Sequence, residues 1–556
     1  TIAGDAPVHS LMDGVNTNWS RVAGGDAIGD MVSKTIAQYN MDDPAKSLPA
    51  LLDIYKALQN IKDEYWKKQK TTEVISLIQA CAGLWTEADA EAAAVAPGDQ
   101  LGIRIQAINR SNFPITLEKI IYPDGEKTVG EPLTNDKAFN ADNTIRVHEN
   151  TPFSQPYWLW GNHPTGYYII KDQQLVGRPE NPPAEEVKFV FNMNGTMVTV
   201  DRPVEYRYTD PVKGEVYQPL SIVPPVTANI ENKVYIFSSG TPQKITVRLK
   251  SFIGKVQGTV SLELPAGFSA RENNIPFALA DKGDETDLSF LVAPKSAITH
   301  SSSEVLKAII HYNGKEYTYG IKVISYSHIP VITVFPSATA KLVSVDLKTD
   351  GKKIGYIMGA GDMVPDALRQ VGYEVTMLDD KDIAAGNLQQ YDAIITGVRV
   401  YNVNKQMKFL QPRLLDYVKN GGVLVVQYNT NRGLVTDQLG PYPFRISGDR
   451  VTDETAKVNF LSPDNEVMNY PNKITEQDFD GWIQERGIYF PADADSHYTK
   501  LFSMHDPGES PLDGSTIVAD YGKGKYVYSG LDFFRELPAG VPGAFRLFVN
   551  MIAKKQ

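Results

Sequence analysis

The spacing of apolar and polar residues changes several times along this chain, and each change predicts a different kind of element. From about residue 26 apolar residues recur three and four apart. Ile28, Met31, Val32 and Ile36 form one stripe, Leu51, Tyr55 and Leu58 a second, and Val74, Leu77, Ile78, Cys81, Leu84 and Trp85 a third. Positions so spaced share one face of a helix, so the pattern predicts a small helical hairpin or bundle. The preceding residues, to about 25, are polar and turn-rich and read as an extended segment. Together these occupy 1–95. At Ala96-Pro97-Gly98-Asp99 the period becomes two: Leu101, Ile103, Ile105 and Ala107 alternate with polar residues. Asn194-Gly195 has the composition of a tight hairpin turn. Residues 97–222 are therefore a β-sandwich-like domain. Pro224-Pro225 marks a linker, and short alternating strands such as KITVRLK and VLKAIIHY then predict an immunoglobulin-like sandwich over 226–335.

The pattern changes again near Lys352. Strands at Ile354–Met358, Tyr373–Leu378, Ala393–Thr396 and Val423–Tyr428 are nearly continuous in apolar residues and alternate with helical segments. Strands buried on both faces and linked by helices form a parallel sheet, so 343–556 is an α/β domain. The fold class is thus multidomain α+β: a helical segment, two β-sandwich-like domains and a C-terminal α/β domain. In a parallel sheet, ligands bind beyond the carboxyl ends of the strands.

Composition narrows the function. The net charge of −11 argues against nucleic acid, which requires clustered excess Lys and Arg. No apolar run reaches the ~18 residues of a membrane helix. Cys81 is the single cysteine, so an internal disulfide and a cysteine-based zinc site are both excluded; within its helical stripe it reads as a buried structural thiol. The start Thr1-Ile2-Ala3 reads as that of a fragment or processed product.

Candidate chemistry gathers at two turns of the α/β domain. Gly359-Ala360-Gly361-Asp362 follows the first strand, but Val364 stands where a dinucleotide fingerprint needs glycine, and no phosphate-binding lysine follows. After the third strand come Gly397, Val398, Arg399, Val400, Tyr401 and Asn402. A nucleophile elbow would place Ser or Cys here, whereas this turn offers Val398, Arg399 and Val400. The two turns are expected to face each other. Gly359, Gly361 and Asp362 would line one side of a crevice, and Gly397, Arg399, Tyr401 and Asn402 the other, to hold a ligand or a neighbouring domain. Tyr157, Trp158 and Trp160 form an aromatic-dense stretch that either stacks on sugar or fills core. None of the eight histidines has the spacing of HExxH, HxxxH or HxxH, and no metal site is assigned. Asp493, Asp495 and His497 read as a loop or a cation site; Ser503, His505, Asp506 and Glu509 read as a loop or part of a hydrolase centre.

Stretches along the whole chain resemble one family. DGVNTNWSRVAGG and LIQACAGLW lie near the start, QPYWLW and GRPENPPAEEV in the middle, and LGPYPFRIS, LFSMHDPGE and YGKGKYVYSGLDFFRELPAGVPGAFRLF towards the end. In length and order they resemble the C-terminal part of PIG-L (LmbE-like) deacetylases. The resemblance implies a zinc-dependent N-acetyl-sugar deacetylase domain ahead of this region. It also implies that the α/β domain is a flavodoxin-like, class I glutamine amidotransferase-like module. That family's metal site rests on an HPDD-type motif and a later HxxH; here His163-Pro164-Thr165-Gly166 departs from the first and nothing supplies the second. The nucleophilic cysteine of the amidotransferases is also missing. The resemblance therefore implies a non-catalytic accessory region without a cofactor of its own, zinc belonging only to the deacetylase domain. Its partner would be that domain or a separate polypeptide carrying it, in a secreted setting, periplasmic or extracellular. The alternatives are a carbohydrate-binding module, with a glycan as partner, and a hydrolase using the α/β domain.

Overall fold

The computed structural model describes residues 12, 14–161, 163–164 and 166–555. Most of the first half of the expected extended segment, with His9, and Thr165 of the His163 stretch lie outside these residues. Three helices follow, Asp26–Ala37, Leu48–Leu58 and Glu64–Ala82. Asp63 caps the third, its carboxylate accepting the Trp66 N–H at 3.1 Å. Gly83 ends it in the left-handed conformation, φ 58°, which a glycine adopts without steric cost.

That helix end corrects two expectations. Residues 85–95 are not helical: Trp85–Ala90 is a strand that pairs antiparallel with Gln100–Ile108, so the first sandwich begins at Trp85 and not at 97. The buried face of the third helix also runs through Val74, Ile78 and Ala82, leaving Leu77 exposed. Cys81 lies at the margin of this face, half-buried and packed against the core. The helices make no separate bundle, because Leu51, Ile54 and Ile78 share one core with Ile103, Ile105 and Phe189 of the sandwich.

The first sandwich has a five-stranded and a four-stranded sheet. Asn194 (φ 48°) and Gly195 (φ 82°) join Glu186–Met193 to Thr196–Pro203, the two positive φ values that a two-residue hairpin needs. The second sandwich extends past the expected limit of 335. Thr339–Ser344 pairs with both Ser302–Tyr312 and Val234–Phe237 inside its larger sheet, so residues up to 344 belong to it. Between these strands, Lys322–Ile324 and Ile332–Val334 form a separate two-stranded ribbon.

The C-terminal domain is organised on seven strands: β1 (Lys353–Ile357), β2 (Glu374–Met377), β3 (Ala393–Thr396), β4 (Val423–Gln427), β5 (Thr499–Lys500), β6 (Thr516–Tyr521) and β7 (Gly524–Ser529). Their order is β2-β1-β3-β4-β7-β6-β5. The β2–β1, β1–β3, β3–β4 and β4–β7 pairs are parallel, and β6 and β5 add an antiparallel edge. Val364–Gln370, after β1, packs on one face, and Met407–Lys419, after β3, packs on the other. The chain leaves β1 and β3 towards opposite faces, which opens a crevice between their carboxyl ends. Among the described residues no helix is long and apolar enough to cross a membrane.

Candidate functional site

The two turns singled out in the sequence meet at this crevice. Gly397 N–H donates to Ile357 C=O at 2.8 Å, and Ala360 N–H to Val398 C=O at 2.9 Å. The approach is too close for side chains. A Cβ on Gly359 would lie 2.1 Å from the Val398 oxygen, and one on Gly397 would lie 2.8 Å from an Asp362 carboxylate oxygen.

Asp362 fills the place an anion would take. Its carboxylate accepts the Tyr356 hydroxyl at 2.7 Å, Val364 N–H at 3.1 Å and Val398 N–H at 3.4 Å. Gln427 Nε2 completes the chain by donating to the Tyr356 oxygen at 2.9 Å. Burial first, and then the Asp362 charge, push the Tyr356 phenol well above its ordinary range. The phenol therefore stays protonated and donates. Gly361, with φ 104°, is open to solvent above this network.

On the other side Arg399 occupies the elbow with φ 60° and ψ 23°. Its N–H donates to Tyr428 C=O at 2.9 Å, while its side chain is exposed. Tyr401 does not line the crevice: it is fully buried and its hydroxyl donates to Gln411 Oε1, because the short helix after the elbow turns that side chain into the core. Asn402 is already committed. Its amide donates to the Thr430 and Arg432 carbonyls at 3.2 and 3.0 Å, and its oxygen accepts Thr430 N–H at 2.9 Å. It holds the loop after β4 and offers nothing to a ligand.

Two further groups, not singled out in the sequence, complete the crevice. Beyond β7, Asp532 is 1% exposed, and neither carboxylate oxygen receives an N–H or O–H from a neutral or basic group. Burial first, then the adjoining Glu485 and Glu536, push its carboxyl up to about 9. At neutral pH Asp532 holds a proton and can share it with Glu485. Glu536 accepts the N–H groups of Ile483 and Gln484, which fixes the loop carrying Glu485. Tyr428 stacks on Tyr489 at 5.6 Å; its phenol is pushed up to about 12 by burial first and then by Asp532, with Arg399 opposing. The crevice thus presents the Arg399 guanidinium and the half-buried Tyr428 phenol, while the protonated acid is sealed from solvent. The signal for Asp532 was an acidic residue after the apolar strand YVYSGL. Its raised carboxyl depends on burial in the folded chain and on the distant Glu485, which no local pattern shows.

The other flagged residues are mostly structural. Tyr157 is 6% exposed, and its hydroxyl donates to Arg178 C=O at 3.0 Å, so it is not available for stacking. Trp160 is 52% exposed, with its Nε1 donating to Gln155 C=O at 2.8 Å. Asp493 pairs with Arg445, and Asp495 with His497, so they do not converge on a shared cation. His505 Nδ1 lies 2.9 Å from the Asp506 carbonyl. The Asp506 carboxylate accepts from Thr452 and Asp453 and clamps that loop. Among the described residues no three His, Cys, Asp or Glu side chains gather as a metal site.

Comparison with known protein families and with curated proteins found no match. Among solved structures, E. coli alpha-2-macroglobulin in its native conformation is similar over 47% of this chain and 17% of its own length, with 16% identity and a TM-score of 0.17. A protein of unknown function from Porphyromonas gingivalis W83 is matched over 47% of this chain and 98% of its own, with 11% identity and a TM-score of 0.12. A Salmonella alpha-2-macroglobulin mutant gives 11% identity over 47% of this chain and 16% of its own, with a TM-score of 0.16.

Proposed function

We propose that this chain is the non-catalytic accessory region of a PIG-L family N-acetyl-sugar deacetylase. Its C-terminal domain would be a flavodoxin-like, class I glutamine amidotransferase-like module that has lost its nucleophile. Two features support the second statement: β1 lies between β2 and β3, as in flavodoxin-like sheets, and a strand-to-helix turn follows β3. The observation that carries the reading is the occupant of that turn. Arg399 sits at the elbow between Val398 and Val400, where covalent catalysis needs a thiol or hydroxyl. The zinc of the family would be held by the deacetylase domain. The residues of this chain do not fit it: His163 packs against Tyr168 at 4.7 Å, and among the described residues no three His, Cys, Asp or Glu side chains gather as a metal site. In this reading the chain scaffolds or orients the deacetylase domain, or a separate polypeptide carrying it, outside the cytoplasm.

The test is acetate release from N-acetylated sugars by the purified chain with zinc, alone and with a separately expressed deacetylase domain. The chain alone should release none, and the two proteins should co-elute. Zinc-dependent release by the chain alone would overturn the proposal. A second reading, a carbohydrate-binding module, draws on the exposed indole of Trp160 beside Trp158; a glycan array that binds the chain and loses it on Trp160→Ala would favour it.

A further inference from the structure

A cleft of about 500 Å3 opens between the first sandwich and the ribbon of Lys322–Ile324 and Ile332–Val334. Its walls are apolar and stiff, with Pro182, Pro203 and Pro219 on the sandwich side, Pro330 and Ile332 on the ribbon side, and the indole of Trp158 between them. The cleft is preformed. Ser221 Oγ and Thr333 Oγ1 lie 3.3 Å apart across its base, and Phe335 N–H donates to Gln155 Oε1 at 3.1 Å, so both walls are tied together. Proline walls lose little conformational freedom when a ligand orders them.

Charge decides the occupant. The charged side chains lining the cleft are Glu180, at the rim, and Glu205, half-buried; no Lys or Arg lines it. Neither carboxylate makes an ion pair among the described residues. Burial first, and then the Glu180 charge, raise the Glu205 carboxyl above its ordinary range, the mark of an acid without a counter-charge. An anion would be repelled. A bare metal ion would find two carboxylates among hydrocarbon walls, too few oxygens for a hard cation. A neutral sugar can donate hydroxyls to Glu205 but would bury its charge further without a counter-charge. An ammonium group on an apolar or ring-shaped body satisfies every wall at once: the carboxylates take the charge, the prolines the body, and the indole face attracts the cation through its quadrupole.

We propose that this cleft binds a small protonated amine, with Glu205 and Glu180 holding the ammonium group, the indole of Trp158 beside that charge and the prolines against its body. The site is separate from the α/β crevice and does not depend on the assignment of the chain to a deacetylase.

The test is calorimetric titration of the full chain at pH 7 with cyclohexylammonium and glucosamine, and with cyclohexanol and N-acetylglucosamine as uncharged counterparts. At least one amine should bind while its uncharged counterpart does not, and the amine that binds tells an aliphatic body from a sugar ring. Glu205→Gln, which keeps the shape of the cleft, should weaken binding at least tenfold, and Glu180→Gln combined with it should abolish binding. Trp158→Ala should also weaken binding, with its melting temperature recorded to separate loss of ligand from loss of fold. Absence of binding by both amines at millimolar concentration would overturn the proposal. So would equal binding by the uncharged counterparts, or unchanged affinity in Glu205→Gln.

Discussion

At the residue scale, the most telling group is Asp532. Its carboxyl, ordinarily ionised above about 4, is held protonated up to about 9 by burial and by Glu485 and Glu536. Between those values the folded chain keeps a proton that the unfolded chain has lost, so stability falls as pH rises through this window. Asp532→Asn replaces the acid with an uncharged group of the same shape. It should leave stability at pH 5 nearly unchanged and raise it by about 1–3 kcal/mol at pH 8.5, a discounted share of the linkage cost of the retained proton. Urea denaturation at the two pH values measures this; a variant that keeps the falling pH profile would show that another group causes it. Arg399 is the second test at this scale. Its left-handed backbone disfavours any residue with a Cβ, so Arg399→Gly should be neutral or stabilising by roughly 0.5–1 kcal/mol. A clear loss of stability would mean that the guanidinium itself holds the fold.

At the element scale, the meeting of two turns depends on glycines of different kinds. Gly397 has an ordinary backbone but no room, since a Cβ would press on the Asp362 carboxylate at 2.8 Å and on Gly359 N at 3.0 Å. Gly361 has room but φ 104°. Gly397→Ala should therefore cost about 1–3 kcal/mol by forcing the turns apart, and Gly361→Ala about 1 kcal/mol by backbone strain alone. Only the former should disturb the chain from Gln427 through Tyr356 to Asp362, visible as a change in the near-ultraviolet tyrosine signal. The third helix shows the same contrast between local and tertiary causes. Asp63 and Gly83 are residue types that start and stop a helix, although the apolar stripe reads on past Gly83 to Trp85. The buried face of the helix was not written locally, because Leu77 and Ile78 are equally apolar and the sandwich chose Ile78.

At the scale of the whole molecule, the second sandwich and the α/β domain are not independent bodies. Ile236 and Val343 of the sandwich share a core with Val364, Leu368 and Leu537 of the α/β domain. Gln370 Oε1 accepts Ile236 N–H at 2.9 Å, and a Cβ on Gly540 would strike Val234 and Val343. The two should unfold together. Ile236→Asp, which buries an unpaired charge at this junction, should cost more than about 3 kcal/mol and lower hydrogen-exchange protection in both domains. Loss of protection confined to the sandwich would show that the junction is only a contact.

By itself the sequence determined where apolar rhythm changes, and hence the helices, the alternating strands and the parallel α/β strands. Local chemistry also dictated the Asn194-Gly195 hairpin and put Gly359 and Gly397 at carboxyl strand ends; that these two ends are adjacent follows from the strand order, in which β1 pairs with β3. Tertiary structure decided the rest. Thr339–Ser344 joined the second sandwich because its partners lie far away in sequence, and Tyr401 turned into the core because a short helix rotated it there. Asp532 became a protonated acid only when folding buried it next to the distant Glu485, and Glu205 became a desolvated charge only in the cleft that the sandwich and the ribbon form together. Periodicity reports which face of an element is apolar, but desolvation and charge pairing depend on which elements meet.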